Sequence, residues 1–410
     1  MGDYVTLNSN QTNRTGNTPW HNTTESSLRA PLRIAMFGHK RVPSREGGIE
    51  VVVDELATRM ARLGHRVTIY NRGGKHVSGA GFDSSDMAET KKTGFYRGVR
   101  VRKVPTIDRK GMAAVSSSFT GAIITAFRRF DVVHIHAEGP AFMCFLPKLL
   151  GKRVIVTIHG LDWQRAKWGG FASWYIRTGE RQAAKHADQI IVLSRGVQQY
   201  FMDTYGRETV FIPNGVNRPE KVEAKLITEQ YGLKTNDYVL YLGRIVPEKG
   251  LRYLIHAWNR IHTDKKLVIA GGSSDTDAFL EELRKEAGDN VIFTGFIQGR
   301  MLAELYSNAY IYTLPSDLEG MPLSLLEAMS FGNCCLTSDI TECTDVVGDH
   351  AESFRKSDVD DLSFHLQKLL DNPDLVKKYK QEAADFICRK YNWDEIVLKT
   401  LDLYRRPPRH

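Results

Sequence analysis

Two glutamates eight positions apart, Glu319 and Glu327, stand in Ser316-Asp-Leu-Glu-Gly-Met-Pro-Leu-Ser-Leu-Leu-Glu-Ala-Met-Ser330. An ionised carboxylate only accepts hydrogen bonds, so such a pair suits a ligand rich in hydroxyls. Between them lies Gly320-Met321-Pro322-Leu323. Pro322 suits the first turn of a helix, where its missing N–H costs nothing. Glu319 is then expected in the loop and Glu327 about two turns into the helix. The backbone N–H groups of residues 320 to 323 would point off the helix N-terminus, which favours an anion. Hydroxyl acceptors flanking an anion site fit a nucleotide-sugar. A plain strand-loop-helix with two solvated acids fits the same spacing, and the acids alone leave both readings open.

Other residue types extend the first reading. Arg244 follows one apolar run, and Lys249 precedes a helical pattern in Tyr241-Leu-Gly-Arg-Ile-Val-Pro-Glu-Lys-Gly250. These two cations suit neutralisation of a diphosphate leaving group, or they are solvated loop charges. Gly47-Gly48 permits close approach of backbone to a phosphate or sugar at a helix start. His159 ends the run Val154 to Ile158, where a lone histidine also reads as structural. His39, His134, His136 and His159 all fall at strand ends. No Asp, Glu or Cys accompanies them at ligand spacing, so no metal site is expected. Asp275-Thr-Asp277 reads as a helix cap rather than a metal-binding pair.

Position depends on the elements around these residues. Leu32–Phe37, Gly64–Tyr70, Asp131–His136, Arg153–Ile158 and Gln189–Leu193 read as strands with helices between them. The pattern restarts after Asn214, with Tyr238–Leu242, Leu267–Ala270, Asn290–Phe293, Ala309–Tyr312 and Cys334–Leu336. Strands alternating with helices predict parallel, doubly wound sheets. In such sheets the ligand crevice lies beyond the carboxyl ends of the strands, where the candidate residues fall.

At 410 residues, with 42% apolar side chains, the chain is long enough for two cores. There is no apolar run of about 18 residues, hence no expected membrane-spanning helix. Residues 1–31 are polar and rich in Asn, Thr and Ser, and read as a disordered tail without a signal peptide. The N-x-Ser/Thr matches at Asn10, Asn13 and Asn22 then read as composition. Five cysteines, Cys144, Cys334, Cys335, Cys343 and Cys388, form no C-x-x-C pair and suit free thiols in a reducing compartment.

The net charge of +8 is unevenly spread. Residues 1–213 carry 31 Lys and Arg against 17 Asp and Glu, a net of +14; residues 214–410 carry 25 against 31, a net of −6. A basic first half points to an anionic partner there. Leu161–Arg181 interleaves Trp163, Trp168, Trp174 and Tyr175 with Arg165, Lys167, Arg177 and Arg181. That mixture suits an anionic membrane interface or a packed helix with a solvated face. The basic runs Arg97–Lys103 and Arg109-Lys110 favour the former. No nucleic-acid motif accompanies the pI of about 9.1, so nucleic acid is not an expected partner.

The glutamate pair resembles the E-(seven residues)-E signature of retaining glycosyltransferases of family 4. Further stretches match in family order: Gly47-Gly-Ile-Glu50, Val154-Ile-Val-Thr-Ile-His-Gly160, Ile190-Ile-Val-Leu-Ser194, Ile212-Pro-Asn-Gly-Val216, Tyr241–Gly250 and Tyr391-Asn-Trp-Asp-Glu395. The resemblance spans roughly 32–404. It implies the α/β GT-B fold, two Rossmann-like doubly wound parallel-sheet domains facing a cleft. Residues 32–215 would form the acceptor domain and 216–390 the donor domain, with 391–410 returning to the first.

The resemblance also implies roles. Gly47, Gly48, Arg244, Lys249, Glu319, Gly320, Met321, Pro322, Leu323 and Glu327 would hold a nucleoside diphosphate sugar of unspecified base. His159, Arg244, Lys249 and Glu319 would serve catalysis without a metal or other cofactor. His159 would sit beside the reacting sugar. Anomeric configuration would be retained, the acceptor hydroxyl losing its proton to a donor phosphate oxygen. Arg165, Lys167 and Arg177 would face the acceptor or membrane.

The first loop, Phe37–Glu50, is similar to that of bacterial surface-polysaccharide rhamnosyl- and glucosyltransferases. This implies a glycan or polyprenyl-diphosphate-linked acceptor at the cytoplasmic face of the cell membrane. A nucleotide-sugar 2-epimerase and a non-catalytic nucleotide-sugar binder share the same fold and remain alternatives.

Overall fold

Uninterrupted β-branched runs decide where the sheets form. The computed structural model describes residues 30–45, 47–74, 90–109, 112–164, 169–272 and 277–407. The tail reading for 1–31 therefore falls almost wholly outside the described residues, as do Lys110, Arg165, Lys167 and Asp275. In the unit Leu32–His410, the first sheet contains β1 (Arg33–Phe37), β2 (Arg66–Arg72), β3 (Phe95–Tyr96), β4 (Val99–Val104), β5 (Val132–His136), β6 (Arg153–Ile158), β7 (Gln189–Val192) and β8 (Val210–Phe211). Their spatial order is β3-β4-β2-β1-β5-β6-β7-β8. All pairs are parallel except the β3–β4 hairpin. The second sheet contains β9 (Tyr238–Leu242), β10 (Lys266–Ala270), β11 (Val291–Gly295), β12 (Ile311–Leu314), β13 (Cys334–Ser338) and β14 (Glu352–Phe354), in the order β11-β10-β9-β12-β13-β14, all parallel.

Period-two alternation divides each central strand between two cores. In β1, Ile34 and Met36 join one apolar cluster and Ala35 and Phe37 another. A third cluster, including Tyr238, Trp258, Leu267, Leu326 and Leu336, belongs to the second sheet. Helices on both faces explain why the strands are apolar throughout rather than alternating with polar residues. All five cysteines are free thiols.

The chain leaves the first sheet after β8 and comes back to it at its end. The helix Pro373–Lys390 buries Val376, Ala383 and Ile387 with the second sheet. Asn392 then caps Trp393–Arg405, accepting from the N–H groups of Asp394 and Glu395. This last helix puts Trp393, Ile396, Val397, Leu401 and Tyr404 into the first sheet's core. Both crossings are tied together: Val216 N–H donates to Tyr391 O at 2.8 Å, and Arg59 donates to Asn217 Oδ1 at 2.6 Å.

Three local readings change. The basic run Arg97–Lys103 is part of the β3–β4 hairpin, whose turn holds Arg97 and Gly98 at φ 44° and 83°. Positive φ at two successive residues is the tight-hairpin geometry. The strand hid because alternate cations, Arg100 and Arg102, occupy its solvent face. Pro322 is the N-cap, at φ −77° and ψ 98°, and the helix proper is Leu323–Ser330. Glu327 therefore lies little more than one turn inside, not two.

Candidate active site

The loops after β9 and β12 are joined through their backbones. Asp317 N–H donates to Glu248 O at 2.9 Å. Gly250 sits at φ +68°, and a Cβ there would lie 1.9 Å from Pro315 O, so this turn needs glycine. The junction brings Lys249 onto Glu319 in an ion pair, both side chains largely buried. Ser316 Oγ donates to the same Glu319 oxygen at 2.7 Å. Lys249 carries three N–H donors, and Glu319 engages one of them. Arg244 lies at the end of β9, its carbonyl accepting from Tyr241 OH at 2.9 Å.

Glu327, within the helix Leu323–Ser330, has partners of its own. It accepts from Tyr306 OH at 3.2 Å and from Arg45 at 2.7 Å. Burial, then the charge of Glu327, holds the Tyr306 hydroxyl well above its ordinary pKa, so it remains a donor. Arg45 belongs to the loop between β1 and the helix Gly48–Arg62, at the carboxyl end of a strand of the first sheet. The sequence reading missed Arg45; its place two residues before Gly47-Gly48 was the available signal.

The two halves meet at the segment between the glutamates. A Cβ on Gly320 would lie 1.8 Å from His159 O and 3.2 Å from Gly160 Cα. Met321 Sδ is 3.0 Å from Asn214 N. Leu323 packs against the apolar cores of both sheets, with its Cδ1 3.3 Å from where a Gly48 Cβ would stand. Gly47 caps the helix Gly48–Arg62 without a side chain. Gly47, Gly48, Arg45, His159, Gly320, Met321, Pro322, Leu323 and Glu327 thus share one region, with Lys249 and Glu319 joined to it through the 316–320 loop.

His159 ends a chain of imidazoles. Its Nε2 is 3.1 Å from His136 Nδ1, and the His136 ring lies 4.1 Å from that of His134. His134 pairs with Tyr404 OH at 2.6 Å and Thr157 Oγ1 at 2.7 Å. Burial drives His134 down to about 3, His39 to about 4 and His136 well below 6.5. His136 is therefore neutral at pH 7. It orients His159 without the negative charge that a carboxylate partner would supply.

No group of three or more His, Cys, Asp or Glu side chains among the described residues is placed to hold a metal ion. Asp277 is the first residue of the helix Asp277–Glu286. Arg177 is exposed and stacks over the Trp163 ring at 4.1 Å. Among the described residues, no helix is long and apolar enough to cross a membrane.

Two family models match consecutive parts of the chain: "Glycosyltransferase Family 4" over residues 46–218 and "Glycosyl transferases group 1" over residues 224–386. An uncharacterised glycosyltransferase of Methanocaldococcus jannaschii is 24% identical over 91% of this chain and 98% of its own length. An alpha-maltose-1-phosphate synthase of Mycolicibacterium smegmatis is 25% identical over 92% and 99%. The Anabaena HepE structure with UDP and glucose superposes with a TM-score of 0.74 at 14% identity, covering 91% of this chain and 99% of that one.

Two parallel sheets facing each other across these loops make the GT-B fold, and the two family models make the chain a glycosyltransferase that uses a nucleotide-sugar. The matches place the chain in the group 1/family 4 type of glycosyltransferases.

The contact at Gly320 makes a specific demand. Gly320→Ala must push the 316–320 loop off His159–Gly160. Misplacement of about 1 Å at a reacting centre costs on the order of a hundredfold in rate. Turnover should fall by that order while the far-ultraviolet circular dichroism stays that of the wild type. Near-normal turnover would mean that this contact does not set the productive geometry.

Proposed function

We propose that the protein is a retaining hexosyltransferase that moves a sugar from a nucleoside diphosphate donor to a glycan or polyprenyl-diphosphate-linked acceptor in bacterial surface-polysaccharide assembly. The observation that carries the reading is the pairing of each glutamate with a cation on either side of the Gly320–His159 contact. In this reading Glu327 accepts the ribose hydroxyls. Gly47, Gly48, Gly320, Met321, Pro322 and Leu323 supply the close backbone and apolar walls around the donor. Arg244 and Lys249 stabilise the charge that grows on the leaving diphosphate, and Glu319 holds Lys249 while facing the sugar.

The bond from the anomeric carbon to the diphosphate oxygen breaks, and the bonding pair departs with that oxygen. The acceptor hydroxyl oxygen forms the new bond on the same face and gives its proton to a phosphate oxygen. His159, held by neutral His136, makes a polar contact to the sugar. The chain then has to position groups and stabilise charge, with no protein nucleophile or metal required. The UDP and glucose bound by HepE support the donor class.

The acceptor side is assigned to the first sheet, which carries the excess of positive charge. Phe171 and Trp174, 74% and 56% exposed, project from the same helix as Arg177. Apolar and cationic groups together suit peripheral attachment to the cytoplasmic face of an anionic membrane.

Three measurements test the reading. Glu327→Ala should weaken binding of the nucleoside diphosphate by roughly 1.5–3 kcal/mol, the usual cost of losing a charged hydrogen-bond partner; unchanged affinity by calorimetry removes Glu327 from the site. Lys249→Ala should lower kcat by on the order of a hundredfold, with the wild type fully active in chelator; loss of wild-type activity on chelation would point to a metal instead. Finally, the protein should co-sediment with anionic vesicles and not neutral ones, and salt should release it. Equal binding to both would leave the cationic face merely solvated.

A further inference from the structure

The loop that carries His159 is held by a carboxyl group that the reaction described above does not use. The chain leaves β5 through Ala137, at φ 80°, a left-handed conformation uncommon for a residue with a Cβ. Ala137 N–H donates to Thr157 O at 2.9 Å. The next residue, Glu138, is wholly buried. Its Oε2 accepts from Asp162 N–H at 2.9 Å. Glu138 thus stands two positions past His136 and grips the backbone three positions past His159. Those two histidines meet through ring nitrogens 3.1 Å apart.

The Glu138 carboxyl also bonds that of Glu180, on the helix Gly170–His186. Glu180 is wholly buried too, and its Oε1 accepts from Tyr200 OH and Tyr205 OH at 2.7 and 2.5 Å. Glu138 Oε1 and Glu180 Oε2 have no further hydrogen-bond partner among the described residues. An ionised carboxylate only accepts, so the two can bond only while one of them keeps a proton. The groups around them favour that proton. Asp162, from the loop after β6, adds negative charge. The hydroxyls on the helix Arg195–Tyr205 stay protonated, that of Tyr200 pushed up to about 12 by burial and by Glu180. Arg177 and Arg181 line a cavity with Tyr200 and Tyr205 and, among the described residues, ion-pair with neither carboxyl. Burial, then Asp162 and Glu180, raises Glu138 well above the carboxylate range. Gly179 lets the helix backbone lie directly on the Glu138 peptide, since a Cβ there would meet Glu138 O at 2.1 Å.

We propose that Glu138 is a positioning residue for sugar transfer: it shares one proton with Glu180 and so ties the loop after His159 to the helix Gly170–His186. The proposal rests on the reading of His159 as the contact to the sugar. Without the proton, two buried negative charges would face each other, and the stretch from His159 to Asp162 would lose its anchor. His159 and Gly160, which lie against Gly320, would then shift. Turnover therefore depends on the protonation of the pair: the singly protonated pair holds the loop, and the fully ionised pair releases it.

Two substitutions separate the proton from the bulk. Glu138→Gln keeps both bonds without a titrating proton, since its amide donates to Glu180 and accepts from Asp162. Glu138→Leu keeps the volume and neither bond. Steady-state kinetics from about pH 6 to about pH 9 bracket the range between an ordinary carboxyl and an ordinary tyrosine. Wild-type kcat should fall on the alkaline side as the shared proton leaves, and Glu138→Gln should lack that fall. At neutral pH Glu138→Gln should turn over like the wild type. Glu138→Leu should lose at least about tenfold in kcat, because small misplacements at a reacting centre are costly, while calorimetry shows its UDP affinity unchanged. Thermal melts read the proton separately. Folded Glu138 keeps a proton that the unfolded chain releases above about pH 4.3. Wild type should therefore lose stability relative to Glu138→Gln as pH rises, by about tenfold in the unfolding equilibrium per pH unit, until the pair ionises in the folded state as well. Equal alkaline limbs in wild type and Glu138→Gln overturn the proposal, as does a Glu138→Gln enzyme as slow as Glu138→Leu, or full kcat in Glu138→Leu. Should Glu138→Leu not fold, the pH profiles of wild type and Glu138→Gln decide alone. His159→Ala tests the underlying reading: full turnover there removes His159 from the chemistry, and the melts still judge the shared proton.

Discussion

Backbone laid on backbone between His159–Gly160 and Gly320 is the constraint from which the active region follows. A side chain at position 320 would occupy the space of the His159 carbonyl, so only glycine allows the loops beyond β6 and β12 to meet. Their meeting fixes the separation of the two sheets at the carboxyl ends of their strands. It also sets Leu323 where it can pack on both cores at once. Everything that varies with substrate can then be built on loops already held at one spacing. The arrangement is that of two rigid α/β layers with chemistry confined to their connections, in keeping with the ligand crevice of open parallel sheets.

Charge in this region is balanced locally rather than across the molecule. Glu319 has Lys249 and Ser316; Glu327 has Arg45 and Tyr306. Removing a carboxylate from water without a partner costs several kcal/mol, and an ion pair with further hydrogen bonds offsets that cost. Burial differs between the two pairs. Lys249 and Glu319 are 14% and 7% exposed at their side chains, whereas Arg45 is 55% exposed. The inner pair is the more costly to separate, and the outer one is held by a loop cation in contact with solvent. The histidine chain follows the same economy of charge: buried His134 and His136 are kept neutral by desolvation, and His136 meets His159 through a ring-nitrogen contact at 3.1 Å.

How much of this was legible in the sequence depended on the range of the interaction. The strands Val132–His136 and Arg153–Ile158 announce themselves because a parallel strand buried on both faces is apolar at nearly every position. The glutamate pair, Lys249 and Gly320 could be singled out because local spacing carries them, and the structure joins Lys249 to Glu319. The strand Val99–Val104 was obscured, since its solvent-facing cations read as a charge run. Arg45 was invisible as a partner of Glu327 because 282 positions separate them, and no local pattern records such a pairing. The His136–His159 contact was hidden for a similar reason: it arises from the β5–β6 register, where His136 lies opposite Thr157. The helix start was misplaced by one residue because proline is accepted both at a cap and in a first turn.

The crossing of the chain back to its first sheet gives the two halves a second point of attachment, remote in sequence from the Gly320 contact. Trp393 packs so closely beneath Gly215 that a Cβ there would come within 2.5 Å of its ring. The linker and the terminal helix are thereby fastened to each other as well as to the core. Hinge motion requires a few residues that absorb backbone change while the flanking elements stay rigid. The connections at 215–217 and 391–393 are short and pinned by Val216–Tyr391 and Arg59–Asn217, so they hold the two halves together rather than absorb such change.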